Sequence, residues 1–110
     1  MILKNIDHSK VLDFSELVSY QNGQIVSRTL VQNKAVGITL FSFDKDEEIS
    51  SHESSGDALV YILEGSAEVT VGGEVFYPKK GETIVMPAGV PHAVKAVEPF
   101  KMMLTVVFPQ

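Results

Sequence analysis

From Asn22-Gly23 onward, turn-forming residues cut the chain into apolar runs too short to be helices of ordinary length. Asn22-Gly23, Asn33-Lys34, the acidic run from Asp44 to Glu48, Glu64-Gly65, Gly72-Gly73, Pro78 to Gly81, Pro87 to Pro91 and Glu98-Pro99 follow one another at intervals of roughly 6 to 20 residues, as the short strands of an all-β sandwich or barrel require. Gln24 to Gln32 alternates Ile25, Ser27, Thr29 and Val31 against Val26, Arg28 and Leu30, and Ala35 to Phe43 returns as its hairpin partner across a two-residue tip at Asn33-Lys34. Further strands are expected at Ala58 to Leu63, Ser66 to Val71, Glu74 to Tyr77, Glu82 to Met86, His92 to Val97 and Phe100 to Phe108. The acidic run Asp44, Asp46, Glu47 and Glu48, with Lys45 inside it, reads as a solvated loop.

Residues 1–110 suit one domain: an arm over 1–23, where Asp13 or Ser15 can cap a short helical turn, and a barrel over 24–108. An apolar share of 45% is enough for a packed core, and with no cysteine the fold must hold without disulfides or thiolate metal sites. The first twenty residues lack the pattern of a secretory signal, and no apolar run reaches the roughly 20 residues that cross a bilayer. The expectation is a cytoplasmic protein with no membrane partner. A net charge of −5, with Lys79-Lys80 the single basic pair, argues against a nucleic-acid partner.

Leu59 to Leu63 and Leu104 to Phe108 are apolar on both faces, so the outside of the sheet needs cover as well as the inside. The arm or a second subunit can supply it, and a homodimer is expected. Phe41, Phe43, Tyr61, Met86 and Met102 to Leu104 are read as core. Arg28, in mid-strand, is expected to make an ion pair or to snorkel at the barrel edge, with capture of a substrate carboxylate as the sharper alternative.

Two histidines sit beside buried strands: His52 before Ala58 to Leu63, and His92 after Thr83 to Met86. Strands laid side by side in a rolled sheet would bring the two imidazoles together. The stretches around them resemble the paired motifs of the cupin superfamily, small jelly-roll barrels. Gly81, Pro87, Gly89 and His92 match the second motif, with Ala96 where asparagine is usual; His52 and Gly65 match the first, with Asp46, Ser54 and Ala58 standing where glycine, histidine and glutamate are usual.

The resemblance implies a double-sheet jelly-roll barrel over roughly 36–108. In the full pattern three imidazoles and a carboxylate hold a divalent cation. Here His52 and His92 remain as metal ligands, for Zn, Ni, Mn or Fe, and a metal-free pocket is the alternative. Ser54, Gln32 and Thr29 are further candidates for contact with a small polar ligand, while Glu53 and Asp57 lie one residue off the inward parity. Three functions are compatible: a small-molecule-binding barrel, an oxygenase or isomerase with a rebuilt ligand set or a histidine base, and a scaffold or sensor with a vestigial pocket.

Overall fold

The structure, a computed structural model, describes residues 2–110. Nine strands follow a single turn of 3-10 helix at Phe14–Glu16: β1 (Ile25–Gln32), β2 (Val36–Phe43), β3 (Glu48–His52), β4 (Asp57–Glu64), β5 (Glu68–Val71), β6 (Glu74–Phe76), β7 (Thr83–Met86), β8 (His92–Lys95) and β9 (Phe100–Val107). They form two antiparallel sheets, β1-β2-β9-β4-β7 and β3-β8-β5-β6, the architecture of an all-β jelly roll. Among the described residues no helix is long and apolar enough to cross a membrane.

Alternation along each strand decides which side chains meet between the sheets. Phe43, Ala58, Val60, Ile62, Val69, Met86, Val94, Phe100 and Met102 are buried together there, with Phe43 and Phe100 stacked at 4.6 Å between ring centroids. The opposite parity of the large sheet forms a second core. Leu30 and Leu40 are covered by Val18 and, less completely, by Ile6, Phe14 and Leu17 of the N-terminal arm. The arm thus supplies part of the outer cover that the doubly apolar strands demanded.

Hydrogen bonds within the arm and from arm to barrel hold it in place. Asp13 caps its helical turn by accepting from the Ser15 amide at 2.9 Å, the Ser42 hydroxyl donates to the Ser19 carbonyl at 2.8 Å, and Lys101 Nζ donates to the Ser15 carbonyl at 2.6 Å.

Several local expectations are corrected. The tip between β1 and β2 has three residues, because the Asn33 side chain accepts from the amides of both Ala35 and Val36 and delays the return strand. Glu48–His52 pairs as a strand although Ile49 is its single large apolar residue; β8 provides the ladder that its own composition does not advertise. Tyr61 is 38% exposed, since it falls between the inward positions Val60 and Ile62. Met103 also faces outward but is covered, packing against the second core beneath the arm. Arg28 donates to the Asn5 carbonyl at 3.0 Å rather than to a carboxylate.

Candidate functional site

β3 and β8 are neighbours in the small sheet, and their register sets His52 directly opposite His92. A register shift between Ile49 and His52 inserts extra backbone there, which turns the His52 ring toward its partner. On β8, His92 shares the inward parity of the core residue Val94 and is 3% exposed; His52 is at the surface. The ring centroids are 4.4 Å apart, edge to face, and the two Nε2 atoms approach to 3.2 Å. Residues forty positions apart in the chain therefore share one point in space.

The other ring nitrogens decide the chemistry. His52 Nδ1 donates to the Ser50 carbonyl at 3.0 Å, and His92 Nδ1 donates to the Val90 carbonyl at 3.1 Å. A carbonyl oxygen only accepts, so each neutral ring carries its proton on Nδ1 and leaves Nε2 as a bare lone pair. Two lone pairs then point at each other across 3.2 Å, an arrangement satisfied only when a proton or a cation lies between them. Burial holds the His92 imidazole below the usual histidine range, with the Val90 carbonyl opposing that shift and nearby His52 adding to it. A neutral imidazole is the form that ligates metal.

The surrounding loops are tied to one another. Gly89 donates its amide to the Ser54 carbonyl at 2.9 Å, and Ala88 donates its amide to the Asp57 carboxylate at 2.8 Å. Gly89 takes a positive φ of 74°, and Gly56 lies so close to β9 that a Cβ there would stand 2.5 Å from the Val107 carbonyl oxygen. Both glycines are backbone requirements of the rim.

The other candidates are engaged in local contacts. The Ser54 hydroxyl accepts from the Gly56 amide at 3.1 Å and so completes a local turn. Thr29 and Gln32 pair with Thr39 and Gly37 on the inward parity of the facing sheet. Thr29 Oγ1 meets Thr39 Oγ1 at 3.3 Å, and the Gln32 carboxamide occupies the space left by the missing Cβ of Gly37. None of the three hydrogen-bonds to a histidine. Glu53 is exposed, and Asp57 is engaged with the Ala88 amide.

A four-ligand metal centre of three histidines and a carboxylate does not fit these residues. Ala58 is buried and has nothing to donate, the Ser54 hydroxyl is engaged, and no group of three or more His, Cys, Asp or Glu side chains able to hold a metal occurs among the described residues. Two adjacent coordination positions do fit. With metal–nitrogen distances of about 2.1 Å, the 3.2 Å separation corresponds to roughly 100° at a shared cation, between octahedral and tetrahedral geometry.

Comparison with known proteins agrees with this architecture. The family model described as "Cupin domain" matches residues 39–108, from β2 to just past β9. The chain belongs to the cupin family. A conserved protein of unknown function from Streptococcus pyogenes is 52% identical, with a TM-score of 0.98 over 100% of this cupin and 96% of that chain. A cupin superfamily protein from Desulfitobacterium hafniense is 31% identical, with a TM-score of 0.92 over 97% of this chain and 98% of that one. Among curated proteins, a 5-nitrosalicylic acid 1,2-dioxygenase from Bradyrhizobium is 36% identical over 73 residues, covering 61% of this chain. The match spans about a third of that relative's length, 35%.

The sequence did not reveal the two main-chain carbonyls that orient the rings. Each lies two residues before its histidine, and a backbone acceptor leaves no mark in side-chain identity.

Proposed function

We propose that this cupin is a small-molecule-binding barrel whose His52–His92 couple grips one electron-poor partner at the mouth of the β-sandwich. That partner is a divalent cation carried with an oxygen-rich ligand, or an acidic proton of the ligand itself. The 3.2 Å approach of two Nε2 atoms whose Nδ1 atoms are both engaged carries this reading, because it makes the pair a preformed two-toothed acceptor. When bound there, a cation would supply Lewis acidity and open positions for ligand oxygens. The chain's own part is to hold both imidazoles aligned, each by its Nδ1 on a main-chain carbonyl. Thr29, Thr39 and Gln32 stand on the inward parity of the facing sheet, where their hydroxyl and amide groups are further candidates for ligand contact.

The test is calorimetric titration of chelator-treated protein with Zn2+ and Ni2+, alongside His52→Ala and His92→Ala. One site per chain, lost in both variants, is expected; binding that survives either substitution sinks the proposal. The likeness to a dioxygenase favours a second reading, an oxygenase with a rebuilt ligand set. It requires the Fe2+-loaded protein to consume oxygen with an aromatic hydroxy acid, a result the binding proposal does not predict.

The proposal extends to a cytoplasmic homodimer. Tyr61, Val85 and Val107 stay exposed on the outer face of the large sheet, beyond the part covered by the arm, and a second copy would cover them.

A further inference from the structure

The register of the small sheet sets four positions of one parity in a row. His52 stands opposite His92, His92 opposite Val71, and Val71 opposite Glu74. Val71 packs against the central core, so this row belongs to the inward face. β6 and β7 end their respective sheets, which leaves the sandwich open along that side. A cavity of about 510 Å3 fills the seam, and Val71, Glu74, Phe76, Tyr77, Ile84 and Val85 contribute to its lining.

The chemistry of the seam is specific. Val71 and Ile84 make an apolar floor continuous with the core, and Phe76 presents an aromatic side chain that is 37% exposed. Glu74 forms no ion pair among the described residues, and Glu82 adds a second carboxylate to the lining. Such a pocket attracts a cation with an apolar body and repels an anion. Neighbouring strands are about 4.8 Å apart, so Glu74 lies two strands and roughly 10 Å from His92 along the row.

We propose that the seam and the histidine pair form one elongated site for an aryl or alkyl amine carrying a polar head. The head meets His52 and His92, the flat or aliphatic body lies over Val71 and beside Phe76, and the ammonium pairs with Glu74. This inference rests on the reading of the histidine pair as a ligand grip and names the class of molecule it holds.

Tyramine is the probe, with 2-phenylethylamine lacking the head and 4-hydroxyphenylpropionate reversing the charge. Titrations followed by amide NMR should shift Val71, Glu74, Phe76, Ile84 and His92, with tyramine binding roughly tenfold more tightly than the anion. Glu74→Gln, a surface change that leaves the fold intact, should erase that preference, and His52→Ala should reduce tyramine to the affinity of 2-phenylethylamine. Equal binding of amine and anion, an unaltered preference in Glu74→Gln, or a His92 amide that does not move would each overturn the proposal. If these results hold while the Zn2+ and Ni2+ titrations fail, the amine site stands and the cation reading falls. The reverse pattern removes the amine site alone.

Discussion

His52 and His92 are each tied by Nδ1 to the carbonyl two positions earlier, so each ring is fixed to its own strand. His92 has a lowered folded-state pKa, chiefly through burial, and the unfolded chain therefore takes up its proton more readily. The stability linked to it is complete above the unfolded value of about 6.5 and is lost as the pH falls from there through the lower folded value. Thermal unfolding at stepped pH should show a midpoint that declines on acidification below that value, with a shallower decline in His92→Asn. The meeting of the two rings was legible in the sequence because the stretches around His52 and His92 resemble the paired cupin motifs, which implies a rolled sheet that sets them side by side. Ring orientation was not legible, since its acceptors belong to the main chain.

Among the elements, the joint between β4 and the loop before it has the least room. A methyl at Gly56 would meet the Val107 carbonyl oxygen at 2.5 Å and Val106 Cγ1 at 2.9 Å. Gly56→Ala should cost about 1–3 kcal/mol in denaturant unfolding, through displacement of the end of β9. On the opposite side, the Lys101 side chain is 12% exposed, lies 4.9 Å from the Tyr20 ring centroid and donates to the Ser15 carbonyl. Lys101→Met should cost roughly 1.5–3 kcal/mol, and amide exchange at Leu17 to Ser19 should accelerate as the arm loosens. A strand with marked alternation, such as β1, was legible from side chains alone. β3 was not, because Glu48, Ser50 and Ser51 give it no hydrophobic face, and its pairing with β8 comes from long-range topology. Tyr61 shows the same limit from the other direction: a strand apolar on both faces does not say which face is inside.

For the whole molecule, packing between the sheets dominates, and the Phe43–Phe100 stack lies fully buried in it. Phe100→Ala should cost about 3–5 kcal/mol, read as a lower denaturant midpoint. The outer face makes a separate prediction. Light scattering at micromolar concentration should report a dimer, and Tyr61→Glu with Val85→Lys should return a folded monomer; a monomeric parent removes the homodimer from the proposal. The need for outer cover was legible in the doubly apolar runs, whereas the division of that cover between arm and solvent depended on contacts such as Ser42 with Ser19.

The knots between Ser54 and Gly89, and between Asp57 and Ala88, fasten the two loops beside the imidazoles to each other. An entrance laced shut at its margins has no door to swing. Guests should come and go at rates governed by diffusion and by the stripping of water from the rings, with no slow gating phase in stopped-flow traces.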